Sequence, residues 1–232
     1  MYLIIIIGVL FVLGFLVWAS ADIGSNVYLK TVCRGNTEEK SVAITFDDGP
    51  HEYMTPRVLD VLKKYDVKAT FFLIGKNVEK NHTLVKRIVS EGHLVGNHTY
   101  LHKGYFPMSG SAAVKQELES CNNIIESVTG KKTKLFRPPF GVTNPIIGRV
   151  AKSMGFSSVG WSIRSLDTLR GRSRKSVCDK VLQKLHNGAI ILLHDRCGGA
   201  DELLDKLLPS IIEKGYKFIT VDKILQENVY EN

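Results

Sequence analysis

The sequence has few cysteines, and none of them has the spacing of a paired metal-binding motif. No two of the four cysteines in the 232 residues are separated by only two residues, so a zinc ribbon is not indicated. We expect free thiols that act as small buried hydrophobic groups, with a disulfide as the alternative in an oxidising compartment. The cysteines are Cys33, Cys121, Cys178 and Cys197.

Basic tracts interleaved with aromatic residues are also absent. Lys and Arg number 31 against 23 Asp and Glu, a net charge of +8, but these residues are scattered along segments with a helical pattern. The scatter is typical of solvated helix faces and argues against nucleic acid as a partner. A positive charge can instead attract an acidic polymer such as a cell-envelope glycan.

Charge is missing from residues 2–21, which are long and apolar enough to cross a bilayer as one helix of about 20 residues. Ala19-Ser20-Ala21 resembles a signal-peptidase site, which would give a domain secreted after cleavage. The apolar run exceeds the ~7–15 residues of a signal-peptide core, and no Lys or Arg precedes it. We therefore predict a membrane anchor over 1–21, with the domain attached to the cytoplasmic membrane and facing away from the cytoplasm.

Internal repeats and low-complexity linkers are absent as well. Residues 22–40 are predicted to be a linker, and 41–232 a single domain of alternating strands and helices. The predicted strands lie at 42–46, 69–74, 94–97, 133–137, 157–161, 189–193 and 216–221. Such alternation implies parallel strands covered by helices, in an α/β fold. Seven units favour a distorted (β/α)7 barrel behind an N-terminal hydrophobic helix, with an open doubly wound sheet as the competitor.

Acidic and imidazole side chains follow three of these strands. Asp47 and Asp48 come after the first, His98 and His102 after the third, and His194 after the sixth. Loops after parallel strands lie at one end of the sheet, so we expect these side chains to meet there. They supply ligands for a divalent cation, a spare carboxylate as base and a spare imidazole as acid. This set is typical of a metal-assisted hydrolase.

The metal is expected to sit between these motifs. Two adjacent carboxylates repel each other and need a stabilising partner such as a cation. Histidines four residues apart on a helical turn point the same way, so His98 and His102 can reach one ion. One carboxylate and two imidazoles leave coordination positions open, which favours a catalytic Zn²⁺ site, with Co²⁺ or Ni²⁺ as alternatives.

Four motifs make the chain resemble the polysaccharide deacetylases of carbohydrate esterase family 4, which share the NodB homology domain. They are Thr-Phe-Asp-Asp-Gly-Pro at 45–50, His-Thr-Tyr-Leu-His at 98–102, Arg-Pro-Pro-Phe-Gly at 137–141 and Ile-Leu-Leu-His at 191–194. The resemblance spans about residues 40–222 and implies a barrel of the polysaccharide deacetylase type.

The resemblance also implies a role for each residue. Asp48, His98 and His102 would bind the metal, and Asp47 would be the general base. Arg137 would pair with Asp47, and the backbone N–H of Phe140 would help stabilise the oxyanion. His194 would be the general acid, with apolar neighbours such as Leu192 lining a pocket for the acetyl methyl group.

The chain departs from the family at a further motif, Asp-x-x-Asp-Trp. Arg164 and Thr168 stand in place of its first Asp and its Trp, while the second Asp remains as Asp167. Asp167 is expected to orient His194, and Trp161 to offer the sugar-stacking surface that Thr168 cannot. The metal set is unaffected, so we expect an active enzyme with an altered substrate pocket.

The expected function is metal-dependent removal of N-acetyl groups from amino sugars of an envelope polysaccharide. Peptidoglycan N-acetylglucosamine is the leading substrate, ahead of poly-N-acetylglucosamine and chitin oligomers. Three alternatives remain open on sequence alone: an O-acetyl esterase on acetylated polysaccharide, a lipid-linked sugar deacylase, and a non-catalytic glycan-binding module.

Overall fold

A nine-stranded sheet forms the centre of the domain, and helices cover its outer face. The computed structural model describes residues 1–231. Its strands are β1 Thr31–Val32, β2 Ser41–Asp47, β3 Thr70–Leu73, β4 Leu94–Asn97, β5 Leu135–Phe136, β6 Ser157–Val159, β7 Ile163–Arg164, β8 Ala189–His194 and β9 Lys217–Phe218.

The helices alternate with the strands along most of the chain. They are α1 Tyr2–Ala21, α2 Met54–Lys64, α3 Gly75–Lys80, α4 His82–Ser90, α5 Ser111–Thr129, α6 Pro145–Ser153, α7 Arg174–Gln183, α8 Ala200–Glu213 and α9 Val221–Leu225. Asn144 caps α6, because its side chain accepts from the N–H groups of Ile146 and Ile147. Gly130 ends α5 with a left-handed φ of 69°.

The strands are parallel throughout, in the order β1-β6-β5-β4-β3-β2-β8-β7, with β9 pairing with the start of β2. β6 lies near one edge of this strand order and β7 lies at the other edge. Residues 160–162 connect the two strands directly. Ser162 bridges this connection to β8, because its N–H donates to the Ile190 carbonyl at 3.1 Å. The sheet is thus a curled half-barrel, and the predicted distorted β/α barrel is confirmed.

Two strands were missing from the sequence-based prediction. β1 lies within 22–40, the predicted linker, and pairs with β6 through Thr31 and Ser158. The predicted strand at 157–161 corresponds to β6, which ends at Val159, and β7 follows it at 163–164, where no strand was predicted. β6 and β7 pair with different neighbours. Strands of two residues are too short to show a periodic pattern, so hydrophobic alternation could not reveal them.

Alternation along the strands separates a helix-covered outer core from the barrel interior. In β2, Val42, Ile44 and Phe46 pack into the large core beneath the helices, while Ala43 points to the other face. The inner cluster consists of Ala43, Phe72, Leu135, Val159, Ile190, Val221 and Val229. By the same alternation, Thr45, Asp47, Leu192 and His194 continue this inner face toward the carboxyl ends of β2 and β8.

The end of α1 packs on the domain, although most of the helix does not. Residues 1–18 are exposed, whereas Ala19 is fully buried. The backbone N–H of Thr143 donates to the Ser20 carbonyl at 2.9 Å. Beyond α1 the chain runs against α6, where a Cβ placed on Gly148 would lie 2.0 Å from the Tyr28 carbonyl oxygen. The predicted linker is therefore a packed segment in this region.

Gly148→Ala should lower stability, because the added methyl group would overlap the backbone of Tyr28. Overpacking of this kind costs about 1–3 kcal/mol, which is roughly 3–10 °C in thermal midpoint for a domain of this size. The measurement is thermal unfolding of the full chain in detergent. Gly110→Ala is the control, because nothing lies within 4 Å of a Cβ at that position. Equal midpoints in the two variants would contradict the packing of 22–30 on α6.

Candidate active site

Two loops at the carboxyl ends of the strands bring together the residues predicted to bind a metal. Asp48 follows β2, and His98 and His102 follow β4. One ligand atom from each of these three side chains lies within 4.8 Å of the others. The spacing and the mixed oxygen and nitrogen donors fit a divalent cation, so the sequence prediction that these residues converge is confirmed.

Asp48 has an unusual backbone and an unsatisfied side-chain atom. Its φ of 73° lies in the left-handed region, which is uncommon for a residue other than glycine. Oδ1 is buried without a hydrogen bond, 3.5 Å from Nε2 of His98 and 3.4 Å from Nε2 of His102. A buried carboxylate oxygen facing two imidazole nitrogens is the arrangement that a shared cation satisfies.

The surrounding charges keep Asp48 ionised. Burial alone would raise the pKa of this carboxyl, but His98, His102 and Arg196 outweigh burial and hold the pKa well below its usual range. Nε of Arg196 donates to Oδ2 of Asp48 at 2.7 Å. The pKa of His102 falls to about 4, mainly through burial and secondarily through His98. A carboxylate next to a neutral imidazole is the protonation state that metal binding requires.

His98 is oriented by the backbone of the third motif. Its Nδ1 lies 2.7 Å from the Arg137 carbonyl oxygen, and because a carbonyl can only accept, Nδ1 carries the proton. Nε2 is then the free nitrogen, and it faces Asp48. The ring of His102 lies 4.7 Å from that of His98 and packs edge-on against Phe140 at 4.8 Å.

Residues 98–103 form a loop, so the predicted helical turn carrying the two histidines is wrong. Thr99 and His102 both have positive φ angles, 65° and 49°. The loop is held by a carboxylate instead: Oε2 of Glu117 accepts from the N–H groups of Tyr100 and Leu101, at 3.0 and 2.8 Å. The two rings converge because side-chain acceptors replace the helical hydrogen bonds.

Asp47 and Arg137 form the predicted pair inside the barrel. Nη1 of Arg137 donates to Oδ1 of Asp47 at 2.7 Å and to Oγ1 of Thr45 at 2.8 Å. Nε and Nη2 donate to the carbonyls of Val159 and Gly160, at 2.9 and 2.8 Å. Arg137 is fully buried and Asp47 is 4% exposed, so the pair is shielded from solvent. Oδ2 of Asp47 remains directed toward His98 Nε2, 3.7 Å away.

His194 lies at the end of β8 and is held by Asp167. Oδ1 of Asp167 is 2.8 Å from Nδ1 of His194, and Oδ2 accepts from the His194 backbone N–H, also at 2.8 Å. Burial lowers the pKa of His194, but the Asp167 contact outweighs it and raises the pKa overall. Nε2 faces the site, 4.0 Å from Oδ2 of Asp48. Asp167 therefore contacts both the ring and the backbone of His194, as the sequence led us to expect.

The residues predicted to contact substrate differ in how much of their side chain is exposed near this centre. Phe140 is 51% exposed, with a φ of 62°, and its ring borders His102. Trp161 packs against Gly141 and is partly buried. Leu192 is only 3% exposed, so it offers little surface to a substrate. Arg164, which replaces the family Asp, is exposed 6.0 Å from the Trp161 ring.

The sequence-based prediction missed several supporting residues. Arg196 and Glu117 belong to no motif, although Arg196 stands only two residues after His194. Asp195 is fully buried and accepts from the hydroxyl of Thr55, and burial raises the pKa of Asp195 to about 7. A Cβ on Gly49 would lie 2.2 Å from an Asp195 oxygen, which explains the glycine of the first motif.

Comparisons with known proteins agree with this geometry. The polysaccharide deacetylase family model matches residues 34–159. The peptidoglycan-N-acetylmuramic acid deacetylase PdaA of Bacillus subtilis is 36% identical over 196 residues, which cover 83% of this chain and 74% of that protein. A solved peptidoglycan N-acetylglucosamine deacetylase is 34% identical, with a TM-score of 0.82, over 87% of this chain and 95% of the other.

The structural neighbours also include a carbohydrate esterase family 4 pseudoenzyme from Bacillus anthracis. It is 31% identical, with a TM-score of 0.78, over 84% of this chain and 71% of the other. The family model covers more than half of the chain, and the identity to PdaA extends over most of both proteins. The chain therefore belongs to the polysaccharide deacetylases, the enzymes of carbohydrate esterase family 4.

Proposed function

We propose that this chain is a membrane-anchored, metal-dependent deacetylase that removes N-acetyl groups from the amino sugars of peptidoglycan, with N-acetylglucosamine as the leading substrate. The convergence of Asp48, His98 and His102, with Asp47 and His194 on either side, carries the proposal. Relatives named as N-acetylglucosamine and N-acetylmuramic acid deacetylases support the peptidoglycan substrate class.

Asp48, His98 and His102 would hold the cation, and Zn²⁺ suits their donor set best, with Co²⁺ and Ni²⁺ as alternatives. The unsatisfied Oδ1 of Asp48 is the observation that supports a cation between them. When bound, such an ion polarises a carbonyl group and lowers the pKa of water. Three protein ligands leave room for water and the acetyl oxygen.

Asp47 is proposed as the base that takes a proton from the attacking water. Arg137 uses one oxygen of Asp47 as its hydrogen-bond acceptor, which leaves Oδ2 for the reaction. Because the pair is buried, the hydrogen bond from Arg137 restrains the carboxylate of Asp47 from rotating. The backbone N–H of Phe140 is proposed to donate to the oxygen that becomes negatively charged.

His194 is proposed to protonate the departing nitrogen. Asp167 fixes the Nδ1 side of the ring, so only Nε2 can face the substrate. An amine leaves poorly unless it is protonated, and the raised pKa of His194 favours the protonated acid near neutral pH. Trp161 and Phe140 would contact the sugar, and Leu192 would border the acetyl methyl group.

An 18-residue window of α1 has a mean hydropathy of 2.8, and 6% of that window is buried, which fits either a membrane span or a signal sequence. We favour the span, with the catalytic domain outside the cytoplasm. The packing of Ala19 and Ser20 against the loop that contains Thr143 supports retention of the helix.

Metal binding should depend on the three proposed ligands. His98→Ala or His102→Ala is expected to weaken Zn²⁺ affinity strongly. The loss should exceed the roughly 10–100-fold that is typical of removing a residue that hydrogen-bonds to a metal ligand. Calorimetric titration of metal-free protein measures this, and His82→Ala is the control because that histidine is exposed at the start of α4. Unchanged affinity in both ligand variants would rule out this metal site.

Asp47→Asn should abolish most activity without removing the metal. We expect acetate release from an acetylated chito-oligosaccharide to fall by about 10²–10⁴-fold, because the neutral amide cannot accept the proton from water. Zn²⁺ stoichiometry measured on the same protein should stay at the parent value. Full activity with Zn²⁺ bound would show that another group is the base.

His194→Ala should discriminate between leaving groups. Hydrolysis of an N-acetyl sugar needs a proton on nitrogen, whereas an activated aryl acetate releases a stable phenolate without one. We expect the variant to lose amide hydrolysis by about 10²–10⁴-fold and to keep most of its aryl acetate hydrolysis. Equal losses on both substrates would contradict the role of His194 as the acid.

A further inference from the structure

α1 leaves the domain at the same end of the barrel as the active site. Thr143, which binds the Ser20 carbonyl, lies in the loop after β5. Loops after parallel strands lie at their carboxyl ends, where Asp48, His98 and His194 also lie. Residues 1–18 are exposed, so the helix projects away from the domain. A bilayer spanned by α1 would therefore begin beside the catalytic end of the barrel.

Exposed hydrophobic side chains of the domain are concentrated at that end. We define the rim as Tyr53, Tyr105, Met108 and Leu169, which are 71, 55, 81 and 48% exposed. Each lies in a segment that connects a strand to the next helix, after β2, β4 or β7, and Met108 ends a single turn of 3-10 helix in that segment. Phe140 is exposed at the same end. The other exposed large hydrophobic residues described after α1 are Val27, beside α6, and Ile212, near the end of α8.

Exposed basic residues near the rim are compatible with contact to anionic lipid. Their presence does not by itself distinguish this end of the barrel from the opposite end. Lys103, Arg170 and Arg172 are exposed next to rim residues, with Glu52 as an acidic exception. Lysines such as Lys131 are exposed at the opposite end as well. The exposed apolar groups therefore distinguish the two ends, and aromatic, apolar and basic side chains together suit a membrane interface.

We propose that the rim rests on the surface of the bilayer that holds α1. The proposal depends on the proposed membrane anchor and adds a second, interfacial contact that the anchor alone does not require. It has a consequence for the substrate: an acetylated sugar must enter between the barrel and the bilayer. A glycan attached to the membrane is therefore reached more readily than a distant polymer.

The test places a fluorescent probe on the full chain in vesicles. Cys33→Ser/Cys197→Ser protein, which lacks its partly exposed thiols, is the parent for Met108→Cys, Leu169→Cys and Ile212→Cys. Ile212 is the matched control, because it is 46% exposed but lies in α8 rather than in a loop after a strand. Each variant is labelled with nitrobenzoxadiazole and quenched by nitroxide carried on the lipid, in vesicles with and without anionic lipid.

We expect several-fold stronger quenching of the Met108 and Leu169 probes than of the Ile212 probe. Resistance of the vesicle-bound protein to an alkaline wash reports separately whether α1 is inserted. Inserted protein with equally weak quenching at all three positions would overturn the rim contact and leave the anchor intact. Protein removed by the wash would overturn the anchor and the rim contact together.

A functional measurement tests the same surface independently. The Met108→Ser/Leu169→Ser variant should release acetate from a soluble acetylated chito-oligosaccharide at the parent rate, because neither side chain belongs to the catalytic set. Its rate on an acetylated sugar carried by a lipid in the same vesicles should fall several-fold. Equal rates on the lipid-borne sugar would contradict the proposal, and parallel loss on both substrates would indicate damage to the active site instead.

Discussion

The buried guanidinium of Arg137 is the contact on which the rest of the site depends. Its nitrogens donate to one oxygen of Asp47, to the hydroxyl of Thr45 and to two carbonyls where β6 ends and the connection to β7 begins. Its own carbonyl oxygen accepts from Nδ1 of His98. One residue therefore orients the proposed base, a proposed metal ligand and the chain segment that closes the barrel. Removing it would leave an uncompensated carboxylate in a dry interior, which is strongly destabilising.

The charged guanidinium of Arg137 lies toward the carboxyl end of the barrel, next to a layer of apolar side chains. The inner cluster around Ala43 and Ile190 closes the lower part of the barrel without polar groups. The central guanidinium carbon of Arg137 lies 4.1 Å from the centroid of the Phe72 ring. Each guanidinium nitrogen donates to at least one acceptor. Because this apolar layer excludes water, neither Arg137 nor Asp47 can exchange its partner for a solvent molecule, and the ion pair keeps one geometry.

Each carboxylate near this apolar layer has a different partner. Asp47 has Arg137, and Asp167 has Ser165 and His194. Asp48 shares Oδ2 with Arg196, and its Oδ1 is left without a hydrogen bond among the residues described. Oδ1 of Asp195 is also buried without a hydrogen bond, but Oδ1 of Asp48 is the one that faces two imidazole nitrogens. This combination of an unpaired carboxylate oxygen and two ring nitrogens locates the proposed cation more closely than the number of acidic residues would.

The sequence predicted the chemistry of the site better than the details of its support. Asp48, His98 and His102 could be found because strand ends and residue type are both local features. Glu117 and Arg196 could not, because their contacts span 16 and 148 residues and follow no spacing rule. The loop at 98–103 was misjudged for the same reason, since its shape depends on a carboxylate from α5. The strands β1 and β7 were missed because pairing partners, rather than composition, define strands of two residues.

The contact between α1 and the domain bears on whether the helix is retained. Thr143 is 2% exposed, and its N–H and hydroxyl both donate to carbonyls at the end of α1. Cleavage after Ala21 would remove both acceptors, and a buried donor without a partner costs about 1–3 kcal/mol. Ile23, buried against the Gly141 and Gly160 backbone, would then lie next to a new charged terminus. Because that backbone flanks Trp161 and Phe140, retention of α1 would also support the two residues proposed to contact the sugar.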